Sequence, residues 1–158
     1  MPLGHLLVKP AGSACNLACS YCFYRQVGGY LPTGEPMREE ILESMIGDFL
    51  AGRPEVAAFG WQGGEPTLCG LDFFRKVVEI QARLGARGQR VGNALQTNGQ
   101  VIDDEWARFL AEWRFLVGLS IDGPEPLHNS RRGKSWRRAM AAAEHLRKRE
   151  VAFNILVV

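Results

Sequence analysis

The chain has 158 residues, of which 46% are hydrophobic, and its formal net charge is +2 at pH 7. This length suits one domain, and the apolar content is sufficient to bury a core. The charge is too small, and the basic residues are too dispersed, to indicate a nucleic-acid partner. The N-terminus lacks the pattern of a secretion signal, and no apolar run reaches the roughly eighteen residues of a membrane span. We therefore expect no membrane association and a cytoplasmic location.

Short apolar runs alternate along the chain with segments of helical spacing. The runs predict strands near residues 4–9, 56–61, 91–96, 115–121 and 151–158. An alternation of β and α elements with apolar strands is typical of a parallel sheet, either open or curled into part of a barrel. Because the sequence shows no repeat, low-complexity segment or linker, we predict an α/β fold in one domain that spans residues 1–158.

Four helices are predicted between these strands, each with apolar side chains that recur at helical spacing. The third begins at Asp103 and Asp104, whose carboxylates suit the positive end of a helix dipole. We interpret the aromatic and methionine side chains as core packing. In chain order, the residues that share a face are Ile41, Met45 and Phe49; Phe73, Val77, Ile80 and Leu84; Trp106, Phe109 and Trp113; and Trp136, Met140 and Ala143.

Three cysteines lie close together in the segment Cys15-Asn16-Leu17-Ala18-Cys19-Ser20-Tyr21-Cys22. The spacing C-x₃-C-x₂-C lets three thiols bind three corners of an iron–sulfur cube, and the fourth iron then stays open to a small molecule with an amine and a carboxylate. A structural zinc site with Cys69 as the fourth ligand is the alternative. Cysteines grouped in this way do not resemble a disulfide framework, and a reducing compartment keeps such thiols free for metal.

Glycines and polar side chains follow the next three strands, at the position where ligands bind in parallel β/α proteins. After the second strand, glycines that allow close backbone approach precede Glu65, a carboxylate that could accept hydrogen bonds from an ammonium. Each segment by itself is also compatible with an ordinary turn. The three segments are Gly60-Trp61-Gln62-Gly63-Gly64-Glu65-Pro66-Thr67, Gln96-Thr97-Asn98-Gly99 and Ser120-Ile121-Asp122-Gly123-Pro124.

Taken in order, these motifs resemble those of the anaerobic sulfatase-maturating enzymes. The resemblance rests on C-x₃-C-x₂-C, W-Q-G-G-E-P-T-L, L-Q-T-N-G and V-G-L-S-I-D-G-P, and it extends from about Leu7 to Val158. Those enzymes are radical S-adenosylmethionine (radical SAM) proteins of the SPASM-containing group, which oxidise a cysteine or serine of a sulfatase to formylglycine. The resemblance implies a parallel β/α partial barrel.

The resemblance also implies two cofactors and the residues that bind them. A [4Fe-4S] cluster would be held by Cys15, Cys19 and Cys22. S-adenosyl-L-methionine would contact five residues: Tyr21 near its adenine, Gly64 through a carbonyl oxygen to the amine, Glu65 as a support of that loop, and Ser120 and Arg132 directly. The fork of Arg132 suits the carboxylate of the cofactor.

Several other polar residues receive no role in cofactor binding. We expect Gln62, Gln96 and Asn98 to face the cavity, without a defined role. Cys69 and His128 are interpreted as structural. His5 and His145 carry no functional signal.

The implied reaction is reductive cleavage of the sulfonium, which gives methionine and a 5′-deoxyadenosyl radical that abstracts hydrogen from a substrate carbon. The implied partners are a peptide or protein substrate, namely a sulfatase, and an electron donor such as flavodoxin or ferredoxin. The alternatives are another radical SAM enzyme that modifies peptides, an inactive fragment that binds only the cluster, and the zinc module described above.

The chain ends inside the apolar run 153–158, which we count as the fifth strand. The resemblance implies six β/α units followed by a SPASM domain with further cysteines. We therefore expect about five of the six units, a truncated radical SAM core and no SPASM domain. The general base of the reaction is expected in the missing C-terminal part, so no catalytic residue is assigned.

Overall fold

A computed structural model describes residues 4–27 and 35–158. Its strands form one parallel sheet in which the spatial order equals the chain order. The prediction of an α/β fold with a parallel sheet is confirmed, and every predicted strand is present with limits that differ by at most two residues. The strands are β1 His5–Val8, β2 Val56–Trp61, β3 Arg90–Thr97, β4 Leu116–Ser120 and β5 Phe153–Leu156.

Helices connect the successive strands. The four predicted helices are α2, α3, α4 and α6, whereas α1, α5 and a 3₁₀ helix at Pro66–Cys69 are too short to show a helical period in the sequence. None of the helices in the described ranges is long and apolar enough to cross a membrane. The α-helices are α1 Phe23–Val27, α2 Glu39–Ala51, α3 Leu71–Leu84, α4 Asp104–Glu112, α5 Glu125–Arg132 and α6 Trp136–Lys148.

The core lies between these helices and one face of the sheet. Phe59 stacks on Trp61 with ring centroids 5.9 Å apart, and Trp61 meets Phe74 of α3 edge to face at 5.8 Å. Aromatic pairs of this kind contribute about 0.5–1.5 kcal/mol beyond the burial of their area. They hold β2 against α3, which fixes the direction in which the following loop leaves the sheet.

Two of the predicted helix faces are wrong by about one residue. In α2 the buried side chains are Leu42, Ile46, Phe49 and Leu50, while Ile41 is 49% exposed. In α6 the alanines at 139 and 142 and Leu146 are buried instead of Met140, because small side chains let this helix approach the sheet closely.

The other two predicted helices agree better with the structure. Val77 and Ile80 of α3 are fully buried. Asp103 caps α4 by accepting a hydrogen bond from the backbone N–H of Trp106 at 2.9 Å. Trp113, expected on the buried face, lies at the end of α4 and is 42% exposed.

Among residues 4–27 and 35–158, no helix covers the opposite face of the sheet, which lines an open cavity of about 250 Å³. Strand register places Leu7 beside Gly60, Gly60 beside Ala94, and Ala94 beside Leu116. Because glycine and alanine occupy the middle of this row, the sheet keeps free space on this side, directly below the loops that follow the strands.

Candidate functional site

A second cavity, of about 290 Å³, lies at the carboxyl ends of the strands. It brings together residues from the loops after β1, β2 and β3, from the end of β4 and from α5. Every site residue predicted from the sequence lines it: Cys15, Cys19, Tyr21, Cys22, Gly64, Glu65, Ser120 and Arg132.

The loop after β1 that carries Cys15, Cys19 and Cys22, here called the cysteine loop, is held by hydrogen bonds to several elements. The backbone N–H of Ser20 donates to the carbonyl of Arg131 at 2.9 Å, which attaches the loop to α5. Arg25 of α1 donates to the carbonyl of Ala18 at 3.1 Å. The positions of the thiols are therefore set by contacts with α5 and with the helix that follows the loop.

Gly64 packs against the start of the cysteine loop. Its N–H donates to the carbonyl of Gly12 at 2.9 Å, and the N–H of Glu65 donates to the carbonyl of Ala14 at 2.7 Å. A Cβ atom at position 64 would lie only 2.1 Å from the carbonyl oxygen of Ala14. The structure thus adds a reason for glycine that the sequence did not show, since this position must accommodate another backbone as well as any ligand.

Glu65 supports the site from below and is only 1% exposed. Its Oε1 accepts hydrogen bonds from the N–H and hydroxyl of Thr67 and from the hydroxyl of Thr97, and its Oε2 accepts one from the N–H of Asn98 at 2.7 Å. Burial raises the pKa of Glu65, and these bonds act in the opposite direction. Both oxygens bind donors from the protein, and these contacts agree with the expected role of Glu65 as a support of the loop.

Asp122 is a site residue to which the sequence analysis gave no role. It binds Arg132 through two hydrogen bonds, Nε to Oδ2 at 2.8 Å and Nη2 to Oδ1 at 3.2 Å. The hydroxyl of Tyr21 donates to the same Oδ2 at 2.7 Å, and the Arg132 guanidinium lies 5.2 Å from the centre of the Tyr21 ring. The available signal was its place directly after a buried strand, where carboxylates commonly face a ligand site.

The contacts among Asp122, Arg132 and Tyr21 shift the pKa of the carboxyl group and of the phenol. Burial by itself would raise the pKa of Asp122, but hydrogen bonds from Arg132 and Tyr21 outweigh it and hold the pKa below its usual range. Burial and the bond to Asp122 raise the pKa of Tyr21. The cysteine loop, the end of β4 and α5 are therefore joined through an ionised carboxylate and a neutral phenol.

The three thiols of the loop fit an iron–sulfur cluster. Desolvation raises the pKa of the Cys15 and Cys19 thiols, and coordination to a metal would favour their deprotonated form. Within residues 4–27 and 35–158, no three His, Cys, Asp or Glu side chains converge on a single ion. A cube suits thiols spread around a cavity, because each thiolate binds a different iron.

The remaining predicted residues fall into two groups. Cys69 ends the 3₁₀ helix and is not among the residues that line the cavity of the other thiols, whereas the alternative zinc site needs it there. His128 is buried, accepts from the N–H of Asp122 at 3.2 Å and contacts the Ser135 hydroxyl at 2.8 Å, which fits a structural role. Gln62 lines the cavity on the open face of the sheet. Asn98 lines the cavity at the strand ends that contains the three cysteines, here called the cysteine cavity, and Gln96 lines both cavities.

The model of the Radical SAM superfamily matches residues 10–158. The chain belongs to this superfamily. The chain is 45% identical over its whole length to a cysteine-type anaerobic sulfatase-maturating enzyme of Clostridium perfringens, of which it covers 45%. It is 43% identical to a serine-type anaerobic sulfatase-maturating enzyme of Klebsiella aerogenes over 98% of its length and 39% of the relative.

Solved structures agree with this membership. A structure described as native anSMEcpe with bound AdoMet and Cp18Cys peptide superimposes with a TM-score of 0.90 at 46% identity, over 97% of this chain and 42% of the other. The match confirms the partial-barrel form of the radical SAM fold. The chain spans less than half the length of each of these relatives.

Proposed function

We propose that this protein is a radical SAM enzyme of the sulfatase-maturating type. It would bind a [4Fe-4S] cluster through Cys15, Cys19 and Cys22 and S-adenosyl-L-methionine beside it. The observation that carries the proposal is that the three thiols share one cavity with every other predicted cofactor residue, at the edge of the sheet where parallel β/α proteins bind ligands. Residues 1–158 would form one radical SAM core domain.

The positions of the cavity residues agree with the role that this proposal gives to each of them. The carbonyl of Gly64 would accept from the amine of the cofactor, while Glu65 holds the loop in place. Ser120, at the end of β4, would contact the cofactor, and Tyr21 would lie near its adenine. Arg132 offers its remaining donors to a carboxylate while Asp122 holds the guanidinium in a fixed orientation.

When bound through these residues, the cofactors would supply the difficult chemistry, namely one-electron cleavage of the sulfonium and hydrogen abstraction from the substrate. The protein orients the cofactors and shields them from water. The substrate would be a cysteine or serine of a sulfatase, and a flavodoxin or ferredoxin in the cytoplasm would supply the electron. The uncovered face of the sheet, with Gly60 and Ala94 at its middle, offers room for a peptide.

The first test concerns the cluster. Anaerobic reconstitution with iron and sulfide should give about four irons per chain and a brown protein whose spectrum changes when S-adenosyl-L-methionine is added. Cys19→Ala should abolish both, and the matched variant Cys69→Ala should retain both. A colourless protein that binds one zinc and depends equally on Cys19 and Cys69 would contradict the assignment.

The second test concerns the substrate. The loaded protein is incubated with reductant, S-adenosyl-L-methionine and sulfatase peptides that carry either cysteine or serine at the target position. Both peptides are needed, because the identities to cysteine-type and serine-type relatives are close, at 45% and 43%. Formation of 5′-deoxyadenosine together with formylglycine, detected by mass spectrometry, would support the proposal. Because the resemblance places the general base outside residues 1–158, production of 5′-deoxyadenosine without peptide modification would leave the proposed cofactor chemistry in place, whereas formation of neither product would contradict the proposal.

A further inference from the structure

The side chain of Asn98 reaches the cysteine loop from the end of β3. Its Nδ2 lies 3.7 Å from the sulfur of Cys15 and 2.8 Å from Oδ1 of Asn16, both within hydrogen-bond range. The backbone N–H of Leu17 lies 3.4 Å from the same sulfur. Cys15 is therefore a thiol toward which two N–H donors already point.

The orientation of the Asn98 amide is fixed by the groups around it. Its Oδ1 accepts a hydrogen bond from the N–H of Gln100 at 3.0 Å, so the opposite side of the amide, which carries the donors, must face the loop. An amide turned by 180° would place a donor against the N–H of Gln100.

The backbone of Asn98 is fixed as well. Its N–H donates to Oε2 of Glu65 at 2.7 Å, and that carboxylate is buried and bound to the loop after β2. The amide is thus held in place next to the Cys15 sulfur by contacts within the protein.

We propose that Asn98 is a positioning residue for the electron-transfer step, in which its amide donates a hydrogen bond to the Cys15 thiolate and raises the reduction potential of the cluster. The inference rests on the proposed function, because it requires a cluster bound through Cys15. Hydrogen bonds to the sulfurs are among the factors that set the potential of an iron–sulfur cluster.

The direction of the effect follows from charge. A one-electron donor such as dithionite adds one negative charge to the cluster, and part of that charge resides on the thiolate sulfurs. An N–H donor stabilises the sulfur more in the reduced state than in the oxidised state, so the donor makes reduction easier. Loss of the donor therefore lowers the potential, and a negative group in its place lowers it further.

The test is a potentiometric titration of the reconstituted protein without S-adenosyl-L-methionine, followed by electron paramagnetic resonance of the reduced cluster. Asn98→Asp keeps the acceptor for Gln100 and the shape of the side chain but replaces the donor with a carboxylate oxygen. Asn98→Ala removes both the donor to Cys15 and the acceptor for Gln100. Gln96→Leu removes an amide from the same cavity that has no hydrogen bond to a thiol, and it serves as the matched control.

We expect the potentials to decrease in the order wild type, Asn98→Ala, Asn98→Asp, with Gln96→Leu equal to wild type. In Asn98→Ala the equilibrium constant for reduction should fall about threefold or more, which is about 28 mV for a one-electron couple at about 59 mV per tenfold change. The iron content per chain is measured in each sample, so that a variant that fails to fold is recognised and the other Asn98 variant decides.

Two results would overturn the inference. Unchanged potentials in Asn98 variants that hold about four irons per chain would show that the amide does not act on the cluster, while the proposed function stands. A wild-type protein that binds no cluster would overturn the proposed function, and the inference with it. An equal shift in Gln96→Leu would show a general effect of cavity polarity in place of a specific bond.

Discussion

Asp122 and Arg132 form the most deeply buried ion pair among the described residues, with side chains 0% and 9% exposed. The pair joins β4 to α5, and Tyr21 of the cysteine loop donates to the same carboxylate. Removal of one member of a buried pair leaves the other charge without a partner in a medium that solvates it poorly. The stability of the site should therefore depend on Asp122 more than on any of the surface ion pairs.

We expect Asp122→Ala to lower the free energy of unfolding by about 3–5 kcal/mol. The matched control is Arg149→Ala, which breaks an equally well-formed pair with Asp104 whose side chains are 42% and 45% exposed. This control should cost about 0–1 kcal/mol. Urea unfolding followed by far-ultraviolet circular dichroism gives both values, and equal losses in the two variants would contradict the assigned role of burial.

The effect of Asp122 should also depend on pH. Its pKa is lowered in the folded protein, so its stabilising contribution is complete above the unfolded value of about 3.9 and disappears as the pH falls through the lower folded value. The difference in stability between wild type and Asp122→Ala should be constant between pH 5 and 7 and should shrink below about pH 4.

At the level of elements, the site depends on the contact between the loop after β2 and the loop after β1. Gly64 and Glu65 donate backbone hydrogen bonds to Gly12 and Ala14, at 2.9 and 2.7 Å. This contact places the G-G-E segment beside the cysteines, so the two loops form one wall of the cavity. A side chain at position 64 cannot be accommodated without separating them.

Gly64→Val should separate these loops and weaken the binding of S-adenosyl-L-methionine at least tenfold, about 1.4 kcal/mol. The matched control is Gly92→Ala on β3, where a Cβ atom meets nothing within 4 Å and the backbone conformation suits any residue. Alanine there should leave binding unchanged and keep or slightly increase stability, because it reduces the entropy of the unfolded chain.

The measurement is anaerobic titration of the reconstituted protein with S-adenosyl-L-methionine, with the melting temperature as a check of folding. Equal affinity in the Gly64 and Gly92 variants would show that the two loops can separate without effect on the cofactor site.

At the level of the whole molecule, helices cover one face of the sheet, and the described part of the chain leaves the other face open. Small residues at the middle of the open face leave a cavity of about 250 Å³, and Gln96 connects its lining with that of the cysteine cavity. The proposed cofactor cavity at the strand ends is thus distinct from the cavity on the open face of the sheet, where we proposed that a peptide binds.

Ala94→Phe should fill the cavity on the open face of the sheet and leave the cavity at the strand ends unchanged. We expect normal iron content and normal binding of S-adenosyl-L-methionine, but at least tenfold weaker binding of a sulfatase peptide, about 1.4 kcal/mol, because the phenyl ring fills this cavity. Ala141→Phe, the same substitution on an exposed position of α6, is the control. Peptide affinity is measured by anaerobic titration of the reconstituted protein, and unchanged affinity in Ala94→Phe would place the peptide elsewhere.

The sequence by itself determined the elements whose physics is local. Periodicity located the five strands and four of the helices in the described part of the chain, and Asp103 was recognised as a cap because a cap needs only its own helix end. The spacing of the cysteines, together with the motifs at the strand ends, was sufficient to name the superfamily and the residues that line one cavity.

In α2 and α6, only the tertiary structure decided which of two adjacent rows of side chains along the helix is buried. The choice depends on how closely the helix can approach the sheet. The tertiary structure alone revealed three hydrogen bonds, from Arg132 to Asp122, from the N–H of Asn98 at the end of β3 to Glu65, and from the Asn98 amide to Cys15. These contacts join residues that are 10, 33 and 83 positions apart in the chain. Their partners are chosen by distance and direction in the folded state, which no local pattern of the sequence encodes.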